Sequence, residues 1–163
     1  MNKVMDITKT EDCFKLRGTI VAEVRDKKGV WKGTRYIRNL ITSAGKAGAA
    51  ATINGSGFTA HFTYIAVGTG TTAANAADTT LETETAASGL SRAAGTASRI
   101  TTTVTDDTAQ LTKTFTVTGT VAVTEAGMLN AGAAGVLLAR QVFSAINVVN
   151  GDSLTITWKI ACA

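Results

Sequence analysis

Leu111-Thr112-Lys113-Thr114-Phe115-Thr116-Val117-Thr118-Gly119-Thr120-Val121-Ala122-Val123 alternates almost strictly. Leu111, Lys113, Phe115, Val117, Gly119, Val121 and Val123 share one face, and Thr112, Thr114, Thr116, Thr118 and Thr120 share the other. Successive side chains of an extended chain point to opposite faces, so the stretch predicts a strand with a core side and a hydroxyl side. The hydroxyl side is either a solvated sheet face, where cross-strand threonine pairs stabilise the sheet, or a face presented to a neighbour that takes hydroxyls.

Working outward, Arg99–Val104 and this run predict a hairpin around Asp106-Asp107. From Phe14 to Val24 a second alternation sets Phe14, Leu16, Ile20, Ala22 and Val24 against Lys15, Arg17, Thr19 and Glu23. Asp26-Lys27-Lys28-Gly29 then reads as a turn, with Val30–Ile37 returning. Phe62, Tyr64 and Ala66 face one way and Thr63, Ile65 and Val67 the other, so the Phe58–Val67 strand reads as covered on both sides. Val136–Phe143 and Leu154–Ile160 are further strands, and Asn150-Gly151 between strand-like runs is a strong hairpin signal. Asn39 to Ala51 suits a short helix near 40–51 with Asn39 as its N-cap, although Gly45 and Gly48 each cost about 1 kcal/mol in a helix interior. These elements predict an all-β chain of seven or eight strands, a β-sandwich or jelly-roll-like domain over 14–163 behind an N-terminal arm at 1–13.

Composition agrees with that class. The 163 residues include 29 Thr, 27 Ala, 16 Gly and no Pro. Threonine's branched Cβ fits a pleated surface, and the missing proline and glycine period exclude collagen. A net charge of +4 with ample Val, Ile, Leu and Phe argues against disorder. The charge is uneven: residues 1–46 hold 11 Lys or Arg against 5 acids. This basic quarter is either the solvated side of a hairpin or a surface for an acidic partner or nucleic acid, and the alternation favours the former. The polar N-terminus predicts no secretory signal, and no apolar stretch is long enough to span a bilayer, so synthesis in a cytosol is expected. Cys13 and Cys162 near opposite ends would close the chain if oxidised, but reduced thiols are the expectation.

Catalytic and cofactor chemistry find little footing. His61 is the single histidine. It stands beside Phe62 in an apolar run, which favours a structural role, and no serine occupies a Gly-x-Ser-x-Gly elbow. Two cysteines and one histidine cannot make a usual zinc site. Glu82, Glu84 and Glu125 could pair as carboxylates, but Glu82 and Glu84 lie in or beside a polar loop where solvated acids are expected. Gly45-Lys46 lacks phosphate-loop spacing, and Gly68-Thr69-Gly70 lacks the third glycine of a dinucleotide fingerprint. Aromatics are not interleaved with the basic residues, so direct DNA binding is disfavoured. The reading is of a non-enzyme with no cofactor and no metal, acting by presenting surfaces. The long loop Thr71–Gly89 is the first such surface.

Three segments carry a resemblance: Asn39-Leu40-Ile41-Thr42-Ser43-Ala44-Gly45; Tyr64 to Ala74 with Asp78 to Glu84; and Val123-Thr124-Glu125-Ala126-Gly127-Met128-Leu129-Asn130 leading to Leu138-Ala139-Arg140 and Asn150–Trp158. Together they resemble small structural proteins of tailed bacteriophages, over roughly residues 36–160. The resemblance implies a virion structural protein, with a capsid decoration (cement) protein favoured by the chain's length and a tail-, neck- or fibre-associated protein involved in host attachment as the alternative. It implies a major capsid protein or another virion protein as partner, a homo-oligomer such as a trimer, no membrane, and a place in the virion after synthesis in the host cytoplasm. The expected contact residues are Lys27, Lys28, Lys32 and Arg35 in the basic hairpin and Thr71, Thr72, Asp78, Glu82 and Glu84 in the loop.

Overall fold

A computed structural model describes residues 15–57 and 60–162. Ten strands and one helix follow in the order β1 (Leu16–Arg25), β2 (Trp31–Arg38), β3 (Leu40–Ile41), α1 (Ser43–Asn54), β4 (Tyr64–Gly68), β5 (Ala93–Ala94), β6 (Thr96–Ile100), β7 (Thr108–Thr116), β8 (Val121–Leu129), β9 (Leu137–Val148) and β10 (Ser153–Cys162). They form two antiparallel five-stranded sheets, β2-β1-β10-β7-β6 and β3-β9-β8-β4-β5. The chain is an all-β sandwich, and setting aside the two-residue strands β3 and β5 leaves eight strands, against the seven or eight expected, though their boundaries differ.

The inward faces interdigitate. Ile20, Ala22, Leu111, Phe115, Ile156 and Trp158 of the first sheet meet Ile65, Val67, Val123, Met128, Leu138 and Ile146 of the second in one continuous core. Fully burying each such side chain is worth about 1.5–3 kcal/mol. Trp158 lies at the centre with no exposed surface.

The β1–β2 hairpin forms as expected. Asp26 Oδ1 accepts from Lys28 N at 2.8 Å and Val30 N at 2.9 Å. Gly29 completes the turn with φ 80°. β6 and β7 form the second predicted hairpin across Asp106-Asp107.

Four expectations need correction. The alternating run Leu111–Val123 is not one strand: β7 ends at Thr116 in one sheet and β8 begins at Val121 in the other. Asn150-Gly151 is likewise a crossing between sheets rather than a hairpin, since β9 and β10 are not neighbours. The two crossings run side by side: Val117 N donates to Asp152 O and Gly151 N to Val117 O, each at 2.9 Å. Backbone polar groups that a single long strand would have paired in one sheet are thus satisfied between the crossings. The helix starts later than expected. Thr42, not Asn39, is its N-cap, with Oγ1 accepting from Gly45 N at 2.9 Å, and Asn39 instead precedes β3. The strand expected over Phe58–Val67 begins only at Tyr64. Phe58, and Phe14 and Cys13 of the N-terminal stretch, lie outside the described residues.

Candidate interaction surfaces

The two sheets differ in what covers their outer faces. On the second sheet, Tyr64, Ala66, Leu129 and Leu137 point away from the main core and form a second apolar cluster around Leu81 of the long loop. The loop between β4 and β5 is therefore a third layer of the fold. This bears out the reading of β4 as covered on both sides: its residues Ile65 to Gly68 are all buried.

Beneath that layer lies a charged centre. Glu125 on β8 has no exposed surface and Arg140 on β9 is 2% exposed. Arg140 Nε donates to Glu125 Oε2 at 2.8 Å. The carboxylate also accepts three backbone N–H bonds from the loop, Gly70 and Thr83 on Oε1 and Glu82 on Oε2, at 3.1, 2.7 and 3.1 Å. Arg140 reaches onward, Nη1 to Asp78 Oδ2 at 2.8 Å and Nη2 to the Thr72 carbonyl at 3.2 Å. A carboxylate saturated in this way is a staple: it ties two ends of a long loop to the sheet and satisfies amides that would otherwise be buried unpaired. Gly68 and Gly70 are required by the same centre, because a Cβ on either would lie 2.6 Å from Glu125 Oε1.

Of the loop residues expected to contact a partner, Asp78 is half-buried against Arg140, while Thr72, Glu82 and Glu84 stay exposed but spend their side-chain bonds within the protein. Both Glu82 carboxylate oxygens accept from Thr72, its backbone N–H at 2.7 Å and its hydroxyl at 2.6 Å. Glu84 pairs with Arg92, which also donates to the Ala134 carbonyl at 2.7 Å. Asp78 accepts from Arg140 and from Asn75 N. Thr71 is exposed as well, so the loop's outward surface combines Thr71, Thr72, Glu82 and Glu84 with small Ala and Asn neighbours.

In the basic hairpin, Lys27 and Lys28 are exposed on the turn. Lys32 is drawn into an ion pair with the buried Asp152, beside the paired crossings. Arg35 stands opposite Ala22, on the inward side of the edge strand, where it lines a cleft with Ala145 and Asn147. The four cations do not share one face.

Titration follows from these contacts. Burial works against the Asp78 charge, but the Asn75 N–H and the Arg140 guanidinium outweigh it and hold the carboxyl below its usual range. The Thr72 hydroxyl and N–H do the same for Glu82. For Asp152, Lys32 overcomes the opposing effect of burial. Asp107 caps the β6–β7 turn, accepting from Val104, Thr102 and Thr103 N–H groups, and falls to about 2. A carboxyl whose folded value is depressed stabilises the fold above its unfolded value and ceases to do so as pH falls through the folded one. Melting temperature is therefore expected to hold near neutrality and fall steadily from about pH 4 toward pH 2, measured by circular dichroism. A melting temperature unchanged down to pH 2 would contradict these contacts.

The sequence places His61 inside an apolar strand. The structure puts it before β4 and exposed, on the rim of an apolar cleft of about 500 Å³ lined by Leu16, Ile53, Phe62, Met128 and Ile160. Cys162 borders the same cleft as a free thiol. Among the described residues, no three His, Cys, Asp or Glu side chains gather as a metal site.

The pairing of Glu125 with Arg140 is what sequence reading missed. A signal was present: one acid and one base each interrupt an otherwise apolar or small-residue strand, and buried charges of opposite sign must find each other.

No protein family, no characterised protein and no solved structure matches this chain.

Proposed function

We propose that the protein is a non-catalytic structural component of a tailed-phage virion, a decoration protein that binds the capsid shell. The observation that carries this reading is where the phage-like motifs fall. Gly68-Thr69-Gly70, Leu81 to Glu84, Glu125, Gly127 and Arg140 are scattered over some seventy residues of sequence, yet most converge on the one centre that fixes the long loop. A motif set spent on holding a surface loop rigid suits a protein whose work is binding, because a pre-ordered loop pays less entropy on docking. The loop offers a small-residue tip, and Lys27, Lys28 and Arg35 offer cations to an acidic lattice. Self-association, as a trimer for instance, would multiply such contacts over a symmetric shell.

Copy number in purified particles tests the proposal. Antibody labelling and quantitative mass spectrometry are expected to find the protein in hundreds of copies over the shell. A few copies at one vertex would move it to the tail, neck or fibre, and its absence from particles would overturn the virion reading altogether.

A further inference from the structure

While the loop covers the outer face of the second sheet, no other element among the described residues covers the outer face of the first. Its rows can be read from the register. Tyr36 stands opposite Val21, which pairs with Thr157 and then Thr112; Thr34 stands opposite Glu23, then Thr155 and Thr114. Trp31 lies opposite Arg25, on the same face as Thr34 and Tyr36. This is the hydroxyl side of the alternating strands. Thr114 and Thr155 hydroxyls bond across the strands at 2.8 Å, and Thr112 to Thr157 at 3.3 Å.

Two large aromatic side chains stand on this polar face. Tyr36 is 81% exposed and Trp31 56% exposed. The Trp31 indole is not free to turn, because Nε1 donates to Thr34 Oγ1 at 2.9 Å. Their partners on β1 are four residues apart, so their backbone positions lie about 13 Å apart along the strand direction, and the Trp31 indole reaches toward Thr34 between them. Arg17, Arg38 and Lys159 add positive charge to the same face, and Glu23, the one acid on it among the described residues, is paired with Arg25 at 2.7 Å.

We propose that this face binds an anionic polysaccharide. Rows of hydroxyls match the donors and acceptors of sugar hydroxyls, while exposed aromatic rings match the apolar faces of sugar rings. The cations select chains bearing carboxylate, sulfate or phosphate. A protein partner is a poorer fit, since the centre of a protein interface is apolar and this one is hydroxyl-bearing. Nucleic acid would call for a denser row of cations along the face. The inference goes beyond the virion reading, and it is tested on the isolated full chain.

The test is native electrophoresis of the full chain through gels containing alginate, dextran sulfate or a phosphorylated mannan, with dextran as neutral control and duplex DNA as a charge control. Retardation by at least one of the anionic polysaccharides is expected, absent with dextran and at least several-fold weaker with DNA. Trp31→Ala and Tyr36→Ala are each expected to weaken it several-fold and together at least tenfold, with melting temperatures unchanged because both side chains are exposed. Thr114→Val, which keeps the strand shape and removes one hydroxyl, is expected to weaken it as well. No retardation by any anionic polysaccharide at low salt would overturn the proposal. So would retardation that DNA matches and the aromatic variants leave intact.

Discussion

Replacing Glu125 by alanine is expected to lower the melting temperature by about 10–15 °C. The substitution leaves the Arg140 guanidinium without its one fully buried carboxylate partner and strips three loop N–H groups of their acceptor. Removing one member of a buried pair costs about 3–5 kcal/mol, and in a chain of this size each kcal/mol shifts melting by about 2–4 °C. Glu125→Gln is expected to fare little better, since it keeps one acceptor oxygen but turns an NH₂ group toward donors and removes the fully buried half of the cation's compensation, leaving it to the partly exposed Asp78 and Glu82. The double variant Glu125→Leu with Arg140→Leu should recover much of the loss, because a buried pair can be replaced by apolar volume at little net cost. Thermal unfolding measures the loss, and limited proteolysis locates it: cleavage should appear first between residues 71 and 80. A loss below about 1 kcal/mol would show that the centre does not hold the loop.

Gly45→Ala should also destabilise the fold, against the usual sign. An alanine in a helix interior is worth about 1 kcal/mol over glycine. Here the added Cβ would lie 2.2 Å from the Leu138 carbonyl oxygen of β9, a backbone atom that cannot swing aside. Helix α1 must lift from the sheet, and such overpacking costs about 1–3 kcal/mol, so a net loss of about 1 kcal/mol is expected by denaturant titration. Gly33→Ala is the control, because that position has open space around it and an ordinary backbone. A Gly45→Ala variant as stable as the parent would mean that the helix does not sit tightly on β9.

The sandwich itself was legible in the sequence because alternation is a local property. The inward sets Ile20, Ala22, Val24 and Leu111, Phe115 are buried as their period dictates. What periodicity could not carry was the sheet to which a strand belongs. Thr118 and Thr120 continue the pattern of Thr112 to Thr116, yet the chain changes sheets among them, because the decisive bonds come from Asp152 and Ser88, distant in sequence. Helix capping failed for a related reason. Asn39 and Thr42 are both competent caps, and the choice fell to Thr42 because Leu40 and Ile41 pair with Arg140 and Ala139 on β9.

The loop shows the same division. Its length and polarity marked it as a surface, and Glu82 and Glu84 are exposed there as their local context predicts. Their actual partners, Thr72 and Arg92, are 10 and 8 residues away, and the charge that organises them arrives from β8 and β9. The threonine excess also divides by place: one part is the bonded ladder on the outer face of the first sheet, another the framework of the loop.

The loop is a layer of the fold, fastened from below by Glu125 and Arg140. Native-state hydrogen exchange followed by NMR tests this most directly, at the amides of Gly70, Glu82 and Thr83. The prediction is that all three exchange as slowly as amides of β8, opening only with global unfolding, and that Glu125→Ala releases them while β10 stays protected. Exchange at the rate of an unstructured chain in the unaltered protein would contradict it.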